Sequence, residues 1–215
     1  MTDLLKEISE RLQQGDDEKV SALTGRAMEE KIPPKEILEC GLIGGMNVIG
    51  KKYKAHEIFL PQVLLAAKAM YAGMELLKPM FIKEGMPTMG KVVIGSVQGD
   101  LHDIGKNLVG IMLKGAGFDV IDLGNDVPPE RFVETAKRED ATVIGMSALL
   151  TTTMPVMQRT VDLIKEEGLS ARIKTIIGGA PVSEEFAQRI GADAYGYDST
   201  NAVESVKRLL GAKTQ

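Results

Sequence analysis

From residue 92 onward the chain alternates short apolar runs with longer amphipathic segments, and this alternation is the feature that most constrains its fold. Strands that alternate with helix-length segments are typical of a parallel sheet covered by helices on both faces. The apolar runs predict five strands, at residues 92–97, 118–123, 142–147, 175–178 and 192–195. We therefore expect a doubly wound (flavodoxin- or Rossmann-like) α/β domain with a five-stranded parallel sheet. In such sheets ligands bind outside the carboxyl ends of the strands.

The chain before this region is predicted to be helical. Leu4, Leu5, Ile8 and Leu12 recur at helical spacing, residues 14–17 interrupt the pattern, and prolines at positions 33, 34 and 61 open a third and a fourth helix. Four helices with short connections predict a bundle. Composition changes near residues 83–88, so we expect a helical cap domain at 1–87 and an α/β domain at 88–215. The segment 85–90 is a candidate hinge.

Composition and charge exclude several classes of protein. The chain has 215 residues, 44% of them hydrophobic, and a net charge of −4, which gives no indication of a nucleic-acid partner or an anionic membrane. No apolar run approaches the ~18 residues of a membrane span, and the first residues lack a signal-peptide pattern. We therefore expect a cytoplasmic protein. The single cysteine, Cys40, excludes an intrachain disulfide.

The segment Asp100-Leu101-His102-Asp103-Ile104-Gly105 follows the first predicted strand and precedes a predicted helix. Asp100 is close enough in sequence to accept a hydrogen bond from one ring nitrogen of His102. Such a bond orients the other nitrogen and raises its basicity as a metal ligand. Taken alone, such a pair in a loop is more often an ordinary turn or helix cap than a metal site.

Two further segments follow predicted strands in the same way. Ser147-Ala148-Leu149 lies 41 residues (106–146) after Gly105, and Gly178-Gly179 lies 28 residues (150–177) after Leu149. Because the carboxyl ends of parallel strands meet at one edge of a sheet, we expect the three segments to lie together.

This pattern, Asp-x-His-x-x-Gly, about 41 residues, Ser-x-Leu, about 28 residues, and Gly-Gly, resembles the cobalamin-binding module of methyltransferases and mutases. The resemblance implies a cobalamin cofactor, as methylcobalamin, cob(I)alamin or a related corrinoid. It implies that the benzimidazole tail leaves the cobalt and enters a deep slot, while His102 becomes the lower ligand of the metal. His102 and Asp100 are then the residues that support the chemistry.

The resemblance also assigns cofactor contacts around the motif. They are Asp100, His102, Asp103, Ile104, Gly105, Ser147, Leu149, Thr151, Thr153, Gly178 and Gly179. The glycines would admit the nucleotide tail, the Ser147 hydroxyl would donate to the benzimidazole nitrogen, and Leu149 would supply apolar wall. Thr151 and Thr153 match positions that line the corrin or extend the His–Asp relay in methionine synthase. Thr153 stands where the family has a serine, so its hydroxyl is kept and a methyl group is added.

In the helical region, the resemblance to the methionine synthase cap places Tyr53, Leu60 and Val63 over the upper, methyl-bearing face of the corrin. Tyr53 stands where that enzyme has a phenylalanine. The same three residues also suit ordinary packing within a helical bundle.

The resemblance extends over nearly the whole chain and is closest to the small corrinoid proteins of methylotrophic and acetogenic anaerobes. It implies a methyl carrier without activity of its own. A substrate:corrinoid methyltransferase would load it, and residues 147–154 favour a methylamine-type donor. An acceptor methyltransferase would transfer the methyl group to coenzyme M or tetrahydrofolate, and a reductive activation protein is a further implied partner.

A cobalamin sensor or storage module is the alternative function. A transcriptional sensor, however, would need a DNA-binding domain and, typically, a tryptophan. A cobalamin-dependent mutase would carry the same motif but would also need a large catalytic barrel, which a chain of 215 residues cannot contain as well.

Overall fold

The computed structural model describes residues 2–84 and 88–211. Its contacts divide the chain into two compact units. One is Met1–Thr88 together with Gly115–Gly117, and the other is Met89–Lys114 together with Phe118–Gln215. The predicted boundary between residues 87 and 88 and the first part of the candidate hinge, residues 85–87, involve positions outside the described residues.

The first unit is the predicted four-helix bundle. Its elements are α1 (Asp3–Gln13), α2 (Asp17–Glu29), α3 (Pro34–Glu36), a π-helical segment (Ile37–Ile43), α4 (Gly44–Lys54) and α5 (Leu60–Glu84). The segments α3, π and α4 follow one another without a break and form the third helix of the bundle.

Local sequence explains where the first two helices begin and which side they bury. The Thr2 hydroxyl accepts a hydrogen bond from the backbone of Leu5 (3.5 Å), and the Asp16 carboxylate accepts one from the backbone of Lys19 (3.1 Å). Both contacts satisfy N–H groups that a helix start leaves free. Along α1, Ile8 and Leu12 are fully buried, as the helical spacing predicts.

The π-helical segment is a departure from the sequence prediction, which treated the third helix as a regular α-helix. Here the backbone runs very close to α1. A Cβ atom on Gly41 would lie 3.1 Å from the Ile8 side chain, and one on Gly45 would lie 3.0 Å from the Ser9 carbonyl oxygen. Apolar periodicity indicates which side of a helix is buried. It does not indicate how closely two helix backbones approach, so it could not predict the π-helical turn.

The second unit contains the predicted sheet. Its strands are β1 (Lys91–Ser96), β2 (Asp119–Asp122), β3 (Val143–Ser147), β4 (Lys174–Gly178) and β5 (Ala194–Gly196). They pair in the order β2-β1-β3-β4-β5, and every pairing is parallel. The helices of this unit are α6 (Ile104–Gly115), α7 (Pro129–Arg138), α8 (Met154–Glu166), α9 (Glu184–Ile190) and α10 (Ser199–Leu209). The strand order reverses between β1 and β3, which is where such sheets form a binding crevice.

The register of the sheet aligns the strand ends. Ser96 pairs with Ser147, Ser147 pairs with Gly178, and Gly178 pairs with Gly196. The loops that follow four strands therefore leave the sheet at the same level. Strand centres such as Ile144 are fully buried, which holds this edge on a rigid core.

Within the part of the chain that the structure describes, no helix combines the length and the hydropathy needed to cross a membrane.

Candidate cofactor site

The loop after β1 brings Asp100 and His102 into direct contact. One carboxylate oxygen of Asp100, Oδ1, lies 2.8 Å from Nδ1 of the His102 ring and also accepts a hydrogen bond from the His102 backbone N–H at 3.0 Å. The Asp100 side chain has no exposed surface, whereas 53% of the His102 side chain is exposed. The buried carboxylate therefore holds a ring that faces outward.

The second carboxylate oxygen of Asp100, Oδ2, connects this loop to the loop after β3. It accepts hydrogen bonds from the backbone N–H groups of Leu149 (2.6 Å) and Leu150 (3.2 Å) and from the Thr153 hydroxyl (3.0 Å). The Asp-x-His and Ser-x-Leu elements of the sequence pattern are thus joined by one side chain.

These contacts decide the charge of Asp100. Burial raises the pKa of a carboxyl group, but the hydrogen bonds from Leu149, His102 and Thr153 outweigh it and hold the pKa of Asp100 below its ordinary value of 3.8. The carboxylate is therefore ionised at neutral pH and can only accept hydrogen bonds.

The ionised carboxylate also fixes the tautomer of His102. Because Asp100 cannot donate, Nδ1 must carry the ring proton that lies between them. In the singly protonated ring the other nitrogen, Nε2, presents a lone pair, and no described residue hydrogen-bonds to it. A half-exposed imidazole of this kind can serve as a single metal ligand.

Large apolar side chains are exposed around the pair. They are Leu101 (69% exposed), Ile104 (77%), Leu149 (41%) and Leu150 (41%). Exposed apolar side chains that lie together, next to a potential ligand, are typical of a binding surface.

The three glycines of the motif, Gly105, Gly178 and Gly179, differ in whether the surrounding backbone leaves room for a side chain. At Gly178 a Cβ atom would lie 2.7 Å from the Gly196 carbonyl oxygen, and at Gly179, where φ is +127°, it would collide with the Ala148 carbonyl oxygen. The fold of this unit therefore demands both. At Gly105 a Cβ atom would meet no described atom within 4 Å apart from its chain neighbours and the backbone of its own helix. Only there does the protein leave open space, and such space suits a group that lies close to the backbone.

The other predicted contacts in this unit occupy less connected positions. Ser147 ends β3 and is half-buried, and no described residue hydrogen-bonds to its hydroxyl. The Asp103 carbonyl oxygen accepts the backbone N–H of Asn107 (2.7 Å) at the start of α6. Thr151 is exposed and lies outside the Asp100 network.

The predicted upper-face residues belong to the helical unit. Tyr53 and Leu60 are partly exposed, whereas Val63 is fully buried. Their contact with a cofactor stays a prediction.

The structure adds three residues that sequence reasoning missed, and two of them contact the loop after β1. The hydroxyl of Ser96 donates to the His102 carbonyl oxygen at 2.6 Å. Asp126 donates its backbone N–H to the Asp100 carbonyl oxygen (3.1 Å), and its carboxylate accepts the backbone N–H of Gly99 (2.7 Å). The sequence offered two weak signals for these residues: Ser96 is a polar residue at the end of an apolar strand, and Asp126 follows Gly124 in a turn.

A third such residue is Lys106, in the first turn of α6. Its ammonium group lies 2.6 Å from both carboxylate oxygens of Asp122 and 2.7 Å from the amide oxygen of Asn107. The side chain is only 4% exposed. This ion pair ties the start of α6, and with it Gly105, to the end of β2.

The fold and the site define an α/β protein whose sheet edge carries one outward-facing histidine with an apolar rim, an arrangement suited to binding a cofactor. The lone pair on His102, the apolar side chains and the open space at Gly105 all fit a large, flat metal cofactor. Residues 90–207 match one family model described as a B12 binding domain, and residues 4–78 match a second with the same description.

Individual proteins give the same result. The chain is 44% identical over 207 residues to dimethylamine corrinoid protein 3 of Methanosarcina acetivorans, covering 96% of this chain and 97% of the relative. It is 43% identical over 197 residues to trimethylamine corrinoid protein 1 of Methanosarcina mazei, covering 91% of each. The crystal structure of the methanol:cobalamin methyltransferase complex MtaBC from Methanosarcina barkeri matches with a TM-score of 0.88 and 31% identity, covering 99% of this chain and 81% of that one.

The chain belongs to the B12-binding family of corrinoid proteins. Its cofactor is accordingly cobalamin or a related corrinoid. This confirms the cofactor that the resemblance of the three sequence elements to the cobalamin-binding module implied.

Proposed function

We propose that this protein carries a methyl group on a corrinoid whose lower cobalt ligand is His102, with the benzimidazole tail displaced from the metal. The observation that supports the proposal most directly is the contact between Asp100 and His102 Nδ1, which leaves Nε2 as an outward-facing donor. The cobalt of the cofactor supplies a centre that can accept and release a methyl group.

The residues of this chain would hold and orient the cofactor. His102 would bind the metal through the lone pair of Nε2, and Asp100 would keep the ring in the required tautomer. Gly105 would leave room for the nucleotide tail, and the Ser147 hydroxyl, which has no partner among the described residues, would donate to the benzimidazole nitrogen. Leu149 and Ile104 would contact the flat ring system through apolar side chains.

Asp100 would also keep the site intact whenever the imidazole binds or releases the metal. The N–H groups of Leu149 and Leu150 and the hydroxyl of Thr153 bond to Oδ2, not to the oxygen that bonds to the ring. The carboxylate therefore stays in place while the ring moves, and the ring returns to the same orientation.

The names of the relatives support a methylamine-type donor, since two of them are named for dimethylamine and trimethylamine. In this proposal a substrate methyltransferase loads the protein, and a second methyltransferase transfers the methyl group to coenzyme M or tetrahydrofolate. A reductive activation protein restores the cofactor after oxidation. Tyr53, Leu60 and Val63 are proposed as upper-face contacts on the resemblance alone, and residues 85–90 as the hinge.

The lower ligand can be tested with protein labelled uniformly with ¹⁵N and loaded with unlabelled cobalamin. In the Co(II) state, electron paramagnetic resonance should show a doublet splitting from a protein ¹⁵N ligand, whereas the cofactor's own base would give a ¹⁴N triplet. His102→Ala should remove the doublet. His56→Ala, which changes the other histidine of the chain, is the matched control and should keep it.

Methyl carriage is tested by mixing the cobalamin-bound protein, reduced to the Co(I) state, with dimethylamine, with and without a dimethylamine methyltransferase. Absorbance should report rapid methylation of the corrinoid only when the methyltransferase is present. A doublet that survives in His102→Ala would disprove the ligand assignment, and rapid methylation by free amine would disprove the role as a carrier that depends on a partner.

A further inference from the structure

Ser96 forms a hydrogen bond to the main chain of the ligand residue itself. It is the last residue of β1, it has no exposed surface, and its hydroxyl donates to the carbonyl oxygen of His102 at 2.6 Å. The backbone N–H of His102 donates to Asp100 at 3.0 Å. The main chain of His102 is therefore held on both sides of its Cα atom.

The backbone of Ser96 is itself fixed. Its N–H donates to the Gly124 carbonyl oxygen (2.9 Å), and its carbonyl oxygen accepts the N–H of Val127 (3.0 Å). Ser96 also pairs in register with Ser147 of β3. The hydroxyl thus links a rigid part of the sheet to a loop whose histidine side chain is half-exposed.

The two contacts of the His102 residue restrict different motions. Asp100 binds the ring nitrogen and so determines how the imidazole is rotated. Ser96 binds the carbonyl group and so determines where the main chain lies relative to the sheet. Both are needed to place Nε2, because a correctly rotated ring on a displaced main chain would still present its lone pair at the wrong position.

We propose that Ser96 is a positioning residue that preorganises His102 for cobalt. This rests on the proposed function, in which His102 is the lower ligand. Without the Ser96 hydroxyl, part of the binding free energy would be spent on ordering the loop. One hydrogen bond of ordinary net strength corresponds to an increase of about 2- to 12-fold in the dissociation constant for cobalamin.

The test compares Ser96→Thr with Ser96→Val, because threonine and valine have nearly the same shape and differ in the hydroxyl. Any effect of the larger side chain on this buried position is shared by the two variants. Thr160→Val is a matched control, since Thr160 is also fully buried and its hydroxyl donates to a main-chain carbonyl oxygen, that of Val156 (2.9 Å). It lies in α8 and takes no part in the hydrogen bonds that hold Asp100 and His102.

Two measurements report on positioning. In the cofactor-free protein, hydrogen exchange at the His102 amide should be faster in Ser96→Val than in Ser96→Thr, while exchange in β4 is the same in both. In titrations with cobalamin, Ser96→Val should bind about 2- to 12-fold more weakly than Ser96→Thr. Thr160→Val should bind like the wild type.

A double-variant cycle separates positioning from general stability. If Ser96 acts through His102, Ser96→Val and Ser96→Thr should bind cobalamin equally once His102 is changed to alanine. A difference that persists in that background, or equal binding of the two variants with His102 present, would overturn the inference. Failure of the proposed function is distinguished by a different result: His102→Ala would then keep both the ¹⁵N doublet and the wild-type affinity for cobalamin.

Discussion

The hydroxyl of Thr153 lies 3.0 Å from Oδ2 of Asp100, across 53 positions of sequence. The same hydroxyl lies 2.9 Å from the carbonyl oxygen of Leu150. The methyl group of Thr153 lies beside Gly99, where a Cβ atom would come within 3.3 Å of it. The site therefore has room for the methyl group of this threonine, and the hydroxyl contacts Asp100.

Thr153→Val should weaken the connection between the loops after β1 and β3. The variant keeps the shape of the side chain and removes one hydrogen bond to a charged group, so we expect the free energy of unfolding to fall by about 1.5–3 kcal/mol. Urea unfolding of the cofactor-free protein measures this change. Thr153→Ser, which keeps the hydroxyl, is the control and should lose less stability, and a larger loss in Thr153→Ser than in Thr153→Val would show that packing of the methyl group matters more than the bond.

Asp100 should give the protein a stability that depends on acid pH. Because its pKa is lower in the folded protein than its ordinary value of 3.8, the ionised carboxylate stabilises the fold. This contribution is complete above about pH 4 and is lost as the pH falls through the native pKa, with a slope of at most about 1.4 kcal/mol per pH unit.

The measurement is urea unfolding of the wild type and Asp100→Asn between pH 7 and pH 3. The variant should be less stable at pH 7, and the difference from the wild type should shrink at the acid end. Parallel curves would mean that Asp100 does not carry this stabilisation. Asp100→Asn should also bind the corrinoid about 10- to 100-fold more weakly, as is common when the partner of a ligating histidine is changed.

Gly105→Ala and Gly179→Ala should separate binding from folding. At Gly105 an added methyl group meets no described atom, so the cofactor-free variant should unfold within about 1 kcal/mol of the wild type and bind cobalamin more weakly. At Gly179 the positive φ and the collision with Ala148 should cost about 3 kcal/mol or more. Gly105→Ala that binds cobalamin like the wild type would show that the open space is not used by the cofactor.

The ion pair between Lys106 and Asp122 should respond asymmetrically to mutation. Asp122→Asn leaves a buried ammonium group without its counter-ion, so we expect a loss of about 3 kcal/mol. Lys106→Met leaves a carboxylate that is 37% exposed and can be hydrated, so its loss should be less than about 1.5 kcal/mol. Urea unfolding of both variants and of the double variant measures the difference. A larger loss in Lys106→Met would contradict this interpretation.

Much of the fold follows from local patterns. Apolar runs marked the five strands to within two residues at each end, and Pro34 and the residues around position 15 marked helix boundaries, because these signals depend on neighbours in sequence. The π-helical segment could not be predicted from local patterns, because it occurs where Gly41 and Gly45 approach α1 closely.

The sequence by itself determined two things. The contact of Asp100 with His102 follows from their separation of two residues, and the cofactor class follows from the resemblance of the three spaced motif elements to the cobalamin-binding module. Only the tertiary structure decided how that pair is supported. The bonds to Asp100 from Leu149 and Thr153, and the contacts of Asp126 with Gly99 and the Asp100 carbonyl, join segments distant in the chain. It also showed that Gly178 and Gly179 are required by neighbouring backbone and Gly105 is not. Such contacts depend on strand register, which spacing alone does not encode.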